Sequence, residues 1–397
     1  MSGSAGPNAQ AGTTNTSNRQ SHALPASTEE LSALVKAASQ DGIAIVAGAP
    51  GRIPPEAKPR DVIFCDLSKM NRVLEHEAAD QVIQVESGIK ISDLNLKLTS
   101  QKQFLPLRVP KNWTLLDAVN RGETGTLEHG YGSMRDLVLG ASVILSDGSA
   151  TKCGGRVVKN VTGYDVAKLV VGSHGWLGLP ASVHLRLYAL PESSVTLVWS
   201  FDSLWKLMNC ALALLKSGLP LAALEAVHND KPGGGVSKFI LLGQVLGLPK
   251  VKDEIAHCAR ELIGAPQTEL QGSDEQVIWS DIAEFFLGGG EQPALSIVAP
   301  PVMLPDIVSS LPFASRWQMR PAKGRVTAIC RDAEEALCAL ERVAAAGDAA
   351  IVVGHADSRY NMRVRYMPVQ DNSRQKLKLR IKQELDPTGT FNPYVIL

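Results

Sequence analysis

Residues 163–178 read GYDVAKLVVGSHGWLG, a short apolar helix pattern that lies between glycine-rich turns. Of the 34 glycines in the chain, 12 fall between Gly122 and Gly178. Glycine permits positive φ angles and lets backbone approach a ligand closely. Two interpretations follow from the residues alone. The glycines are either loop and bulge positions of a β-rich unit, or part of an anion site built from backbone N–H groups.

The composition excludes several classes of protein. The chain has 397 residues with 40 Lys+Arg and 40 Asp+Glu, so its formal net charge is zero. This balance disfavours nucleic-acid binding, which depends on phosphate neutralisation. The sequence has no uncharged apolar run of the ~18 residues that a transmembrane helix needs. Its six cysteines include no C-x-x-C pair, which disfavours a disulfide scaffold, a zinc ribbon and an iron–sulfur cluster within this chain.

Residues 1–26 are rich in small polar residues and are predicted to be a disordered tail. Ser27 and Glu30 form a capping box that starts a helix, and Gly42 ends it. Three short strands and a second helix are predicted next, near 43–47, 62–67, 81–86 and 93–101. These elements indicate a first α+β subdomain over residues 27–103.

The remaining chain is predicted to contain three further parts. Residues 104–195 alternate short strands and helices and indicate a second α+β subdomain, so that 27–195 form one domain. Longer helices alternate with strands over 196–370, as in a ferredoxin-like α+β cap. The last part, 371–397, contains a basic helix over 374–385 and the sequence DPTGTFNP at 386–393.

Several of these stretches together resemble one family. Residues 154–178 are similar to the signature of FAD-linked oxidases of the vanillyl-alcohol-oxidase (PCMH) fold, in which a Gly-Tyr-Asp-Leu helix precedes Gly-Ser-x-Gly-x-Leu-Gly. Residues 85–88, 131–140 and 386–393 resemble further segments of that family. The run KNVTGYD at 159–165 and the short chain most resemble the smaller FAD-binding subunit of glycolate oxidase, the GlcE type.

The resemblance implies a fold and an activity. The expected architecture is α+β, a PCMH-type FAD-binding fold of two α+β subdomains with a cap domain over the flavin. The expected cofactor is FAD, and the expected reaction is oxidation of glycolate or a related 2-hydroxy acid by hydride transfer to flavin. A second flavin subunit and an iron–sulfur subunit are the expected partners. The protein is expected to be cytoplasmic, or associated with a membrane through those partners.

The resemblance also implies cofactor contacts at ten positions. Those between 163 and 178 would line the adenine–ribose and pyrophosphate region, one upstream glycine would lie near the flavin phosphates, and the C-terminal asparagine would approach the flavin ring. The ten residues are Gly48, Gly88, Asp136, Gly163, Tyr164, Asp165, Gly175, Leu177, Gly178 and Asn392.

Two residues after an apolar strand are candidates for the chemistry. His355 and Arg359 follow residues 351–354. Arginine can bind a substrate carboxylate bidentately, and histidine can take the hydroxyl proton. The alternative is an ordinary surface turn at the end of a strand. Because no two histidines have the spacing of metal ligands, no metal site is predicted.

The sequence departs from the family pattern at two loops that would bind phosphate. Residues 47–51 read AGAPG, where Pro50 lacks a backbone N–H donor, and Leu116 and Asp117 stand where a glycine pair is usual. Each lost hydrogen bond to a charged group costs roughly 1.5–3 kcal/mol. A non-catalytic scaffold subunit with the same fold and a degenerate flavin site is therefore the alternative function.

Overall fold

The computed structural model describes residues 20–47, 61–155, 166–228, 239–287, 294–311, 316–345, 350–354, 365–366 and 372–393. Within them, the α-helices are α1 Thr28–Gln40, α2 Ile91–Thr99, α3 Leu115–Arg121, α4 Glu128–Tyr131, α5 Met134–Leu137, α6 Val166–Val170, α7 Leu204–Ser217, α8 Pro249–Ile263, α9 Gly272–Leu287, α10 Leu304–Ser310, α11 Ala333–Ala345 and α12 Asn372–Leu385.

The strands form four sheets. They are β1 Gln20–Ala23, β2 Ala44–Ala47, β3 Val62–Cys65, β4 Val73–Glu77, β5 Val82–Glu86, β6 Gln103–Phe104, β7 Val138–Ile144, β8 Ala150–Gly154, β9 Leu179–Arg186, β10 Tyr188–Ala189, β11 Ser193–Phe201, β12 Ala223–His228, β13 Phe239–Gly247, β14 Thr268–Leu270, β15 Ala294–Val298, β16 Arg316–Arg320, β17 Arg325–Ile329, β18 Ala350–Gly354 and β19 Arg365–Tyr366.

A three-stranded parallel sheet, in the order β1-β3-β2, begins the N-terminal domain. Its first strand corrects the prediction that residues 1–26 are a disordered tail, because Gln20–Ala23 pair with Val62–Cys65 along their whole length. The hydrophobic pattern gave no signal for β1, since three of its four residues are exposed and the strand is held by backbone hydrogen bonds to β3. The structured domain therefore starts before Ser27.

A five-stranded antiparallel sheet, in the order β4-β5-β9-β7-β8, forms the second layer. It joins β5 at Val82–Glu86 to β9 at Leu179–Arg186. The expected subdomain boundary at residue 103 is therefore wrong, because β4 and β5 share this sheet with strands from the second half. The division instead falls between β3 and β4.

The C-terminal segment completes the N-terminal domain. Phe391 forms a parallel bridge with Ile45 of β2, and the Ile45 N–H donates to the Thr390 carbonyl at 2.8 Å. The carboxylate of Asp386, which is 2% exposed, accepts the N–H groups of Thr390 and Phe391 at 2.9 and 2.8 Å. Lys382 forms an ion pair with the same carboxylate and also donates to the Phe391 carbonyl.

The cap contains two ferredoxin-like units, each with the order strand, helix, two strands, helix, strand. The first unit lies in the order β14-β11-β13-β12 and the second in the order β16-β17-β15-β18. Strands β12 and β16 pair at Ala226 and Met319, so that the two units form one continuous sheet. With β19 at its edge, this sheet has nine strands. The predicted ferredoxin-like cap is confirmed, and it is doubled.

Alternation along the cap strands separates two faces of this sheet. Apolar residues such as Leu197, Leu241 and Met319 point to the face covered by α7, α8, α10 and α11. The other face carries polar side chains, including those of Thr196, Gln244 and Gln318. This polar face meets α9, where Trp279 donates to the Thr196 hydroxyl at 2.8 Å, and the N-terminal domain, where Arg320 donates to Glu123.

Replacing Asp386 tests the C-terminal ion pair. Asp386→Ala leaves the Lys382 ammonium, whose side chain is 11% exposed, without its carboxylate, and it also removes the acceptor of two backbone N–H groups. Breaking one partner of a buried pair costs about 3–5 kcal/mol, and a loss of this size in the free energy of unfolding is expected by chemical denaturation. Glu384→Ala, an exposed change on the same helix, is the control; equal losses in the two variants would contradict this role.

Candidate cofactor and substrate site

The glycine-rich loop at residues 172–178 lies against the C-terminal half of α3. The Gly172 N–H donates to the Val119 carbonyl at 2.9 Å, and the His174 N–H donates to the Asn120 carbonyl at 2.8 Å. A Cβ on Gly122 would lie 3.2 Å from the Cα of Gly172. The close approach of α3 and the loop therefore requires glycine at the end of the helix.

The loop turns through left-handed backbone at His174 and Gly175, with φ angles of 54° and 70°. No described residue accepts a hydrogen bond from the N–H groups of Gly175 and Leu177. Burial, together with the positive charge of Arg121, lowers the pKa of His174. A Cβ on Gly178 would lie 2.8 Å from Val143 Cγ1, so packing against β7 requires that glycine.

Three buried polar atoms border this loop and α3 without a hydrogen-bond partner among the described residues. They are Asn120 Oδ1, Ser173 Oγ and Ser87 Oγ. Asn120 faces the loop, since its amide lies 3.5 Å from the position of a Cβ on Gly175. Buried polar atoms are nearly always hydrogen-bonded, so this group fits a bound molecule that has polar atoms of its own.

The C-terminal segment meets the same loop. The Asn392 side chain donates from Nδ2 to the His174 carbonyl at 2.7 Å, and its backbone N–H donates to the Ile45 carbonyl. Lys382 donates to the Trp176 carbonyl, and its ammonium lies 5.1 Å from the centre of the Trp176 ring. Of the ten predicted cofactor residues, the structure thus brings Gly175, Leu177, Gly178 and Asn392 together.

Gly88 and Asp136 have structural roles that the sequence did not indicate. A Cβ on Gly88 would lie 1.7 Å from the Leu67 carbonyl oxygen, so the approach of two backbone segments requires this glycine. Asp136 accepts the backbone N–H and the hydroxyl of Ser133 at 2.8 and 2.6 Å and caps α5. These hydrogen bonds lower its pKa. Cofactor contact at the two residues stays a prediction.

Six predicted site residues lie outside the described residues. They are Gly48, Gly163, Tyr164, Asp165, His355 and Arg359. In the sequence, His355 comes directly after the last residue of β18 and Arg359 four residues later, and β18 pairs with β15 in the second unit of the cap.

The structure explains the two residues that replace the usual glycine pair. The Leu116 side chain is buried in an apolar cluster with Leu31, Leu179 and Phe391, and its N–H donates to the Ser87 carbonyl at 2.7 Å. The Asp117 carboxylate accepts the N–H and hydroxyl of Thr114 and completes a capping box at the start of α3. These groups thus hold α3 in place within the protein.

Buried ion pairs join the N-terminal domain to the cap. Arg320 of β16 donates to Glu123 at 2.7 Å, and it lies 3.6 Å from Glu128 and 3.7 Å from Glu225. Arg325 of β17 reaches the second oxygen of Glu123 at 3.2 Å. Because Glu123 and Glu128 come from the segment after α3, these pairs hold the cap sheet against that segment.

Glu225 is a buried carboxyl on the polar face of the cap. It is 1% exposed and accepts a hydrogen bond from Gln318 Nε2 at 2.9 Å. Burial raises its pKa to about 8, against the opposing effect of Arg320. Glu225 therefore holds a proton at neutral pH.

The polar face differs between the two units of the cap. In the first unit, Glu275 of α9 accepts hydrogen bonds from Ser194, Thr196 and Gln244, and Arg108 donates to Gln244 at 2.7 Å. In the second unit, Gln318, Thr327 and Ser296 stand side by side on neighbouring strands. Gln318 Oε1 is buried and has no hydrogen-bond partner among the described residues. The second unit thus offers one buried acceptor, Gln318 Oε1, that the described residues do not satisfy.

Comparisons with known proteins assign the two domains. The family model for an FAD binding domain matches residues 20–154, and the model for the C-terminal domain of FAD linked oxidases matches residues 190–231. The structure of an alkyldihydroxyacetonephosphate synthase covers 93% of this chain with a TM-score of 0.68 at 13% identity, over 76% of that chain. This is the PCMH-type FAD-binding fold. FAD is the cofactor of the matched domain, and the loop and orphaned polar atoms described above fit it.

Relatives at the sequence level include proteins named as dehydrogenases, as an oxidase subunit and as FAD-linked oxidoreductases. A mitochondrial D-lactate dehydrogenase (cytochrome) of Arabidopsis thaliana is 31% identical over 204 residues, which cover 51% of this chain and 36% of that protein. Glycolate oxidase subunit GlcD of Bacillus subtilis is 29% identical over 52% of this chain and 45% of that protein. An FAD-linked oxidoreductase of Mycobacterium tuberculosis is 26% identical over 94% of this chain and 90% of that protein.

None of the helices among the described residues combines the length and the apolar character that crossing a membrane requires. No group of three or more His, Cys, Asp or Glu side chains among these residues is placed to hold a metal ion.

Sequence reasoning missed Asn120 and the ionic cluster around Arg320. Asn120 is one of three polar residues in α3 and stands next to Arg121, and the sequence gives no sign that its side chain turns inward. Glu225 had a signal, since it is one charge within the otherwise apolar stretch Leu224–Val227. A charge in a buried strand costs stability unless it has partners, so such a position marks a candidate site.

Glu225 should make stability depend on pH. Between its ordinary pKa of 4.5 and its folded value of about 8, the folded protein keeps a proton that the unfolded chain has released. The free energy of unfolding should therefore fall as pH rises through this window, by at most about 1.4 kcal/mol per pH unit for one proton. Glu225→Gln, which cannot ionise, should flatten this fall in denaturation curves at pH 6, 7 and 8. Glu254→Gln, at an exposed position of α8, is the control, and a slope unchanged in Glu225→Gln would refute the assignment.

Asn120 provides a test of the cofactor site. Asn120→Ala removes a side-chain oxygen that has no described protein partner, so the thermal midpoint of the apoprotein should change little. Losing a hydrogen bond to FAD should weaken its binding about tenfold, measured by flavin fluorescence titration. Asn95→Ala is the matched control, because Asn95 is satisfied on both sides by Leu105. Asn95→Ala should lower the thermal midpoint and leave the affinity for FAD unchanged. If Asn120→Ala left the affinity unchanged and Asn95→Ala lowered it, the cofactor would not bind against α3.

Proposed function

We propose that this chain is the FAD-binding, GlcE-type subunit of a glycolate-oxidase-type complex that oxidises glycolate or a related 2-hydroxy acid. The observation that carries the proposal is the junction of the 172–178 loop, α3 and Asn392, with its orphaned polar atoms. The relatives named for D-lactate dehydrogenase and for a glycolate oxidase subunit support the substrate class.

The N-terminal domain holds the cofactor in this proposal. The N–H groups of Gly175 and Leu177 and the side chains of Asn120 and Ser173 bind its polar atoms. Gly48, Gly88, Asp136, Gly163, Tyr164, Asp165 and Gly178 complete the predicted cofactor set. FAD, when bound, supplies the acceptor for the hydride that leaves the hydroxy carbon. Asn392 holds the loop in position through the His174 carbonyl.

The cap binds and deprotonates the substrate. Arg359 binds the substrate carboxylate through two parallel hydrogen bonds, and His355 accepts the hydroxyl proton as hydride leaves. Gln318, Thr327 and Ser296 lie on the same unit of the cap and offer hydrogen bonds to the substrate's oxygen atoms. A second flavin subunit and an iron–sulfur subunit are the partners that we propose.

Variants of the two proposed catalytic residues test the reaction. His355→Ala should lower kcat by about 10²–10⁴-fold, because it removes the base. Arg359→Met should mainly raise the KM for glycolate, because it removes the carboxylate contact. The measurement is dye reduction by the purified chain co-expressed with a second flavin subunit, with glycolate and D-lactate as substrates.

The controls separate the proposal from the scaffold alternative. His257→Ala, at an exposed position of α8, should leave kcat and KM unchanged. A chain that binds FAD but gives the same rates in all three variants would remove His355 and Arg359 from the reaction. A chain that binds no FAD in titration and yet is needed for activity of the complex would be the non-catalytic scaffold.

A further inference from the structure

The ionic cluster around Arg320 lies on the boundary between the two domains. The Arg320 side chain is 5% exposed, and it faces carboxylates from both sides. Glu123 and Glu128 come from the N-terminal domain, whereas Glu225 comes from the neighbouring cap strand. One guanidinium thus ties the seam between the two cap units to the segment that follows α3.

That segment also holds the glycine-rich loop. Glu123 follows Gly122, whose missing Cβ allows the Cα of Gly172 to approach. The Glu123 N–H donates to the Ala118 carbonyl at 3.0 Å, and its carboxylate accepts the Gly125 N–H at 2.8 Å. Glu123 is therefore fixed to the end of α3, next to Gly122, which contacts the first residue of the 172–178 loop.

A second contact joins the cap to the segment that follows α3. The Gly130 N–H donates to the Ala222 carbonyl at 3.1 Å, and a Cβ on Gly130 would lie 2.8 Å from the Ala222 Cα. The start of β12 is thus in direct backbone contact with α4. The segment from Gly122 to Tyr131 is held between the cap on one side and the loop on the other, so a shift of the cap must move it.

We propose that Arg320 is a positioning residue that transmits the docking of the cap, through Glu123 and Gly122, to the 172–178 loop and thereby sets its affinity for the cofactor. The proposal rests on the proposed cofactor role of that loop. Arg320 does not touch the cofactor; it holds the end of α3 where Gly172 and Asn120 are correctly placed. Losing this ion pair should loosen the loop without removing any group that binds FAD.

The test uses two ligands that differ in reach. FAD binding to the full chain is measured by fluorescence titration, and ADP binding by competition with FAD. ADP shares the adenine and pyrophosphate half of FAD and has no flavin ring that could approach the cap. Arg320→Met should weaken both ligands by the same factor, at least tenfold, because the loop is displaced for both. Arg320→Lys, which keeps the charge, should recover part of the affinity.

Arg260→Met is the matched control. Arg260 and Glu269 form an ion pair of 2.7 Å within the cap, away from the domain boundary, so this variant should leave both affinities unchanged. If Arg320→Met does not fold, Arg320→Lys and Glu123→Gln decide the question by the same two titrations.

Three results would overturn the proposal. A lower thermal midpoint with unchanged affinities would make Arg320 a structural residue only. Loss of FAD affinity with ADP affinity kept would instead give it a direct role at the flavin half. Equal losses in Arg260→Met would show a general effect of cap stability. Failure of the proposed function itself is distinguishable, because the unmodified chain would then bind no FAD.

Discussion

The close approach of Gly122 and Gly172 is the constraint on which the rest of the site depends. With no side chain on either residue, the loop lies flat on α3, and two hydrogen bonds from Gly172 and His174 hold it there. A Cβ on Gly122 would lie 3.2 Å from the Gly172 Cα, so the loop backbone would have to shift by a few tenths of an ångström, and the positive φ of 66° also favours glycine there. Asn120 and Glu123 stand on either side of this contact in the sequence, and Asn392 holds the loop from its other side through the His174 carbonyl.

Charge in this protein is concentrated where its parts join. A neutral chain still buries the charges of Glu123 and Arg320 at the domain boundary, and of Lys382 and Asp386 at the C-terminal return. Such groups remain buried only because each has a partner of opposite charge within a few ångströms. The energetic cost of burying an unpaired charge also makes these junctions specific, because a displaced cap or C-terminal segment would leave uncompensated charges inside the protein.

Local pattern predicted many elements and failed where tertiary contacts decide. The capping box at Ser27, the strand Val82–Glu86 and the helix Ile91–Thr99 were predicted because their signals lie within a few residues. β1 and the pairing of β5 with β9 were missed. Their stability comes from backbone hydrogen bonds to strands distant in sequence, and side-chain pattern carries no information about those partners.

The sequence by itself determined the family resemblance and the cofactor, through the two motifs around residues 163–178 and 386–393. Motifs of glycine and short polar residues can be recognised in this way because they encode backbone geometry locally. Only the tertiary structure decided which groups meet. It placed Asn392 on His174, turned Asn120 inward, made Asp136 a helix cap, and set Arg320 between three carboxylates. These relations join residues up to 218 positions apart, and no local pattern specifies which distant backbone or charge will satisfy a buried polar group.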